Sequence, residues 1–119
     1  MRHIQAAEVD RMAAAVPAAE PGLAVSWLAG PVNAEPLDVG LVTLAPGGAT
    51  PLHSHDGGQL IVVVSGRGWV ETAGERVVVE AGDVVLTPPG EVHTHGADAD
   101  GPMAHFTVTT GPNRFPQQI

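Results

Sequence analysis

From Leu23 to Thr109 the chain is cut into short, valine-rich stretches by turns carrying glycine and proline. That punctuation suits strands rather than a bundle of helices. The stretches Leu23–Leu28, Val39–Ala45, Gln59–Val64, Gly68–Thr72, Arg76–Val79, Asp83–Thr87, Val92–His95 and Met103–Thr109 read as strands. Between them lie Pro46-Gly47-Gly48, Asp56-Gly57-Gly58, Ser65-Gly66-Arg67-Gly68, Ala73-Gly74-Glu75, Ala81-Gly82, Pro88-Pro89-Gly90 and the run Asp98 to Pro102, each with turn chemistry. Evenly spaced short strands of this kind predict an all-β sandwich or closed barrel. Before them, Ile4 to Val16 is alanine-rich and predicts a short helix ended by Pro17 and Pro21. With 119 residues the chain is long enough for one core and too short for two. The expected organisation is an irregular or helical N-terminal arm over 1–22 and one barrel domain over 23–119.

The charge pattern narrows the partners. The formal net charge is −8, the five basic residues are all arginines, and no lysine is present. A phosphate backbone would be repelled, so nucleic acid is excluded as an expected partner. The chain has no cysteine, so disulfides, thiolate catalysis and sulfur-ligated metal are all ruled out. No apolar run reaches membrane-spanning length and no leader pattern opens the sequence, so a soluble, cytoplasmic protein without a membrane partner is expected.

Five of the six histidines sit in three places: His53 with His55, His93 with His95, and His105. Residues two apart on a strand share a face, so each pair can aim both imidazoles into one space. Neutral imidazole is the commonest protein ligand for metals. In the last strand Met103, His105, Thr107 and Thr109 share a face; in the strand from Gln59, so do Gln59, Ile61 and Val63. The second set would put one amide beside an apolar wall, where it needs partners. Ser54 alternates away from its two neighbours, which argues against a serine nucleophile, and Asp56 is expected to shape a turn. Trp69, Ile61, Val63, Val85 and Met103 are expected core or pocket residues, and Arg67 and Arg76 are expected to balance local acids.

The spacing of these residues resembles the cupin superfamily. Its first motif is Gly, five residues, His-x-His, three residues, Glu, six residues, Gly; here it runs through Gly47, His53, His55, Gln59 and Gly66, with only the Glu changed. Its second is Gly, five residues, Pro-x-Gly, two residues, His, three residues, Asn; here it runs through Gly82, Pro88, Gly90 and His93, with Ala97 in place of Asn. The resemblance covers about Val39 to Thr109 and implies a small β-barrel of jelly-roll type. It implies that His53, His55 and His93 are metal ligands, with Gln59 in the place of the acidic one. Three imidazoles and one oxygen leave two positions open on a six-coordinate ion. Such a donor set favours Mn²⁺ or Fe²⁺, with Ni²⁺, Zn²⁺, Co²⁺ and Cu²⁺ also compatible. A cupin that has lost its metal would keep the same histidines as a packed polar cluster. A neutral Gln59 leaves a divalent ion its full charge, which favours Lewis-acid work over oxidation.

His95 follows His93 on the same face, about 6–7 Å along the strand, too far to be assumed a ligand but near enough to touch a bound molecule. It is a candidate general base, and His105 a second catalytic candidate from another strand. His53-Ser54-His55-Asp56-Gly57-Gly58-Gln59, Gly68-Trp69, His93-Thr94-His95-Gly96 and Met103-Ala104-His105 are similar to small bacterial cupins that include manganese-dependent hydroxynitrile lyases. That resemblance implies cleavage of a cyanohydrin to an aldehyde and hydrogen cyanide, with His95 as base and His105 assisting proton transfer or cyanide binding. Thr109 departs from it, since those lyases place a Gln there. The expected function is therefore a divalent-metal-dependent lyase acting on a small α-hydroxy compound. The alternatives are a cupin-type Fe or Mn dioxygenase and a non-catalytic metal- or ligand-binding cupin. Small cupins commonly pair, and an open edge strand gains from cover, so a homodimer with the arm at its interface is also expected.

Overall fold

The computed structural model describes residues 1–15, 21–29 and 37–116. One helix, α1 (Ala6–Ala15), precedes nine strands: β1 (Leu23–Ala29), β2 (Asp38–Leu44), β3 (Ser54–His55), β4 (Gln59–Thr72), β5 (Arg76–Glu80), β6 (Val84–Thr87), β7 (His93–Ala97), β8 (Met103–Thr109) and β9 (Asn113–Arg114). The helix lies within the expected span, while Val16 and Pro17 fall outside the described residues. It packs on β1, where Ser26 Oγ donates to the Val9 carbonyl at 3.1 Å.

All pairings between these strands are antiparallel; β4 joins seven of them into one sheet, and β3 pairs separately with β9. Its first half lies between β8 and β6, with β8 leading on to β2 and β1; its second half lies between β5 and β7. One strand thus serves both leaves of the barrel. The sequence reading split β4 in two at Ser65-Gly66-Arg67-Gly68, and the structure corrects this. The strand runs through, with a register shift between Val63 and Ser65 against β8. Gly66 has φ +76° and lies against the Pro102 carbonyl, where a Cβ would overlap its oxygen. The extra residue at the shift is Val64, and the glycine two positions on serves this close backbone approach rather than a chain reversal. The pairs β3 and β9 were also unforeseen, being two residues each.

Alternation on β4 and β8 sets the interior. Gln59, Ile61 and Val63 point inward, as do Met103, His105, Thr107 and Thr109. Leu44, Ile61, Val63, Val70, Val79 and Met103 form an apolar core with Val42 and Ala97, and Val85 packs at its margin. Trp69 lies outside this core, with the Arg76 guanidinium 4.0 Å above its ring, and Arg76 also pairs with Glu71 at 2.6 Å. The barrel interior is thus apolar at the Met103 end and polar towards Gln59 and Thr109. The histidines gather at the polar end.

Candidate metal centre

Two bridges bring the separate histidine segments together. Ala49 pairs with Gly96 and His53 with His93, so the segment before β3 runs antiparallel to β7. Thr50 reinforces this register: its N–H donates to the His95 carbonyl at 2.9 Å, and its hydroxyl accepts from the His95 N–H at 3.2 Å. The result places one nitrogen each of His53, His55 and His93 within 4.8 Å of one another. All three side chains are buried.

Their tautomers follow from their partners. The Nδ1–H of His53 donates to the Pro51 carbonyl at 2.7 Å, that of His93 to the Glu91 carbonyl at 2.9 Å, and that of His55 to Asn113 Oδ1 at 2.6 Å. An oxygen acceptor on Nδ1 leaves Nε2 of the neutral ring as a lone pair. Gln59 completes the group from β4. Its amide Nε2 donates to Thr107 Oγ1 at 2.5 Å, which turns Oε1 to within 2.7 Å of His93 Nε2.

This arrangement fits a metal ion. His55 Nε2 is buried and lacks a hydrogen-bond partner, which costs free energy unless something takes the lone pair. His93 Nε2 and Gln59 Oε1 are two lone-pair atoms facing each other at 2.7 Å, an arrangement that a cation relieves. Burial supplies the correct protonation state as well. It pushes the His53 pKa down to about 4 and lowers that of His93, with the neighbouring imidazoles adding to the effect. Neutral rings are the form that binds metal. Three buried histidines can therefore bind an ion here.

His95 and His105 form a second pair beside the first. His105 Nε2 lies 3.1 Å from His95 Nδ1 and His105 Nδ1 lies 3.5 Å from the Phe106 carbonyl; with the His105 proton on Nδ1, facing that carbonyl, Nε2 accepts from His95 Nδ1–H. That chain leaves His95 Nε2 without a proton. Burial lowers both pKa values, that of His105 to about 4. The His95 ring centre is 5.3 Å from that of His53 and 5.9 Å from that of His93.

A cavity of about 130 Å³ opens onto this group. His53, His55, Gln59 and His95 form much of its polar wall, and Val25, Trp27, Val42 and Phe115 much of its apolar one. His93 and His105 do not line it. His105 therefore meets the cavity only through His95, and its fully buried ring is poorly placed for the cyanide binding that the sequence resemblance implied. Three contributors escaped the sequence reading: Asn113, which holds His55; Thr107, which turns Gln59; and Thr50, which anchors β7. Threonine on the inward face of β8 was a legible signal for Thr107; nothing in the local sequence marks Asn113.

The sequence profile of the Cupin domain matches residues 40–109. The chain is a cupin. Among characterised proteins, this cupin is 38% identical over 92 residues to an (R)-mandelonitrile lyase of Granulicella tundricola, covering 69% of this chain and 70% of the lyase. It is 41% identical over 68 residues to a gentisate 1,2-dioxygenase of Aquipseudomonas alcaligenes, covering 56% of this chain but only 20% of that enzyme. Among solved structures, a cupin-like protein from Thermotoga maritima superposes with a TM-score of 0.73 at 34% identity, covering 78% of this chain and 74% of the other.

Proposed function

We propose that this cupin is a divalent-metal-dependent lyase that cleaves a small α-hydroxy compound of the cyanohydrin type. The observation that carries the reading is the neutral donor: Gln59, turned by Thr107, offers an uncharged oxygen beside the three clustered imidazoles. His53, His55, His93 and Gln59 would hold the ion, with Mn²⁺ or Fe²⁺ the favoured occupants. A divalent ion held by neutral groups supplies Lewis acidity, polarising the hydroxyl oxygen of the substrate.

The remaining steps belong to the chain. His95 Nε2 accepts the hydroxyl proton, because its own Nδ1–H is committed to His105. The oxygen's electron pair closes the aldehyde C=O bond as the carbon–cyanide bond breaks with its electrons on cyanide. Cyanide then takes the proton back from His95 and leaves as hydrogen cyanide. His105 acts through His95 and is a positioning residue. The cavity of about 130 Å³ is well below the ~300 Å³ at which drug-sized pockets begin, which suits a small substrate with one apolar group. The likeness to an (R)-mandelonitrile lyase over two thirds of both chains supports this chemistry.

The test is metal analysis of the purified protein together with mandelonitrile cleavage. Benzaldehyde release by the manganese-loaded protein, lost on chelation, is the expected result; no release at mildly acidic pH overturns the assignment. The likeness to a gentisate 1,2-dioxygenase supports a second reading as an Fe- or Mn-dependent dioxygenase. Oxygen uptake with gentisate by the iron-loaded protein, without mandelonitrile cleavage, would select it.

A further inference from the structure

The three clustered histidines are not held alike. His53 and His93 each give the Nδ1 proton to the main-chain carbonyl two residues earlier, Pro51 and Glu91. That partner comes with the local backbone path and survives most side-chain changes nearby. His55 instead depends on a side chain 58 residues away, Asn113 Oδ1 at 2.6 Å.

Asn113 arrives on β9, a strand of two residues whose register sets Asn113 opposite His55 and Arg114 opposite Ser54. So short a strand has little stability of its own. It is tied down through Asp56 and Gly57, just past the pairing. The Asp56 N–H donates to the Pro112 carbonyl at 3.1 Å and the Gly57 N–H to the Thr110 carbonyl at 2.9 Å. Arg114 grips both oxygens of Asp56, through Nε at 2.6 Å and Nη2 at 2.7 Å. Gly57 permits this approach, since a Cβ there would overlap Thr110 Oγ1. A bidentate pair of this kind adds geometric definition even when partly exposed. The same strap carries Phe115, whose ring centre is 6.4 Å from that of His53 and which lines the cavity.

We propose that Asn113 is a positioning residue of the metal centre. Its Oδ1 holds the His55 ring with Nδ1 protonated and Nε2 free for the ion, and the Asp56–Arg114 pair keeps Asn113 in place. The C-terminal strap thereby sets the geometry of one ligand and walls the cavity at the same time. This inference rests on the metal reading above.

Mn²⁺ titration of the full chain, with chelator competition, tests it. Asn113→Ala is expected to weaken Mn²⁺ binding about 10–100-fold, the usual cost of removing a ligand's hydrogen-bond partner. It should still bind one ion per chain at saturation, which a misfolded variant would not. Asn113→Asp keeps an acceptor on His55 and should hold affinity near that of the parent. Arg114→Ala should weaken binding by only about 2–5-fold, as suits a half-exposed ion pair. In the zinc-loaded protein the His55 Nδ1–H should exchange slowly with water, and faster in Asn113→Ala. Unchanged affinity in Asn113→Ala, or equal losses in the Ala and Asp variants, overturns the proposal. His55→Ala separates the two readings: if it binds Mn²⁺ like the parent, the metal centre itself is wrongly placed, and if it loses binding while Asn113→Ala does not, only the positioning role falls.

Discussion

His105→Leu isolates the second histidine pair from the first. His105 is fully buried, and its neighbours in register are Val42 on β2 and Val63 on β4. A leucine of similar size therefore meets apolar walls, and the packing cost is small. What is lost is the acceptor for His95 Nδ1–H, now 3.1 Å away. Leaving a buried donor without a partner costs about 1–3 kcal/mol, and the His95 ring escapes that cost only by turning or by moving its proton to Nε2. Either movement spoils the proposed base. At 1.36 kcal/mol per tenfold change in rate, kcat should fall by roughly 5- to 150-fold. His105 hydrogen-bonds to His95 and to the Phe106 carbonyl and to none of the clustered ligands, so metal content should stay at one ion per chain. Benzaldehyde release from mandelonitrile and elemental analysis of the same preparation measure both quantities. His105→Gln, which offers an oxygen to His95, should recover part of the rate. A His105→Leu protein with full metal and an unchanged kcat would refute the idea that His95 is oriented through its neighbour.

Acid should destabilise the metal-free protein before it protonates the carboxylates. His53 and His105 have folded pKa values lowered from 6.5 to about 4, so the unfolded chain takes up protons between those values that the fold refuses. Stability is then complete above 6.5 and falls as pH drops towards 4, by about 2 kcal/mol per group at pH 5; equal urea midpoints at neutral pH and pH 5 would contradict this. Free Mn²⁺ at 100 times its dissociation constant should add about 2.7 kcal/mol and raise the melting temperature by roughly 10 °C, and a calorimetric scan with no shift would count against the site. Gly66→Ala, at φ +76° with its new Cβ against the Pro102 carbonyl, should cost about 2–4 kcal/mol in urea unfolding, and a neutral result would mean this backbone approach is softer than it looks.

What could be read in the sequence was whatever repeats locally. The alternation of Gln59, Ile61 and Val63, and of Met103, His105, Thr107 and Thr109, marked inward faces because each strand has one buried side. The grouping of His53, His55, Gln59 and His93 was legible only through the spacing shared with the cupin motifs, because the bridges that bring those segments together leave no local period. Composition misled where a glycine serves packing instead of chain reversal. Ser65-Gly66-Arg67-Gly68 has turn chemistry, yet Gly66 and Gly68 lie so close to the Pro102 and Gly96 carbonyls that a Cβ on either would overlap them. Asn113 was beyond reach altogether. Its role depends on a contact across 58 residues and on a two-residue strand that has no period to detect.

The buried polar end gives a physical reason for glutamine at position 59. Among five buried histidines, a glutamate would have to lose its proton in a poorly solvated place. Before metal arrives, it would resolve that cost by charging an imidazole, and His93, 2.7 Å from the ligand oxygen, stands nearest. A protonated His93 cannot offer Nε2 to an ion. Glutamine avoids the conflict: it donates to Thr107 and sets no carboxylate beside His93 to hold a proton there. The same neutrality leaves the charge of a bound cation undiminished by its ligands, which stabilises negative charge developing on a substrate oxygen. It gives less help to a site that must pass through a higher oxidation state, where an anionic ligand would share the added charge. These electrostatics support the proposed lyase reading over the dioxygenase one.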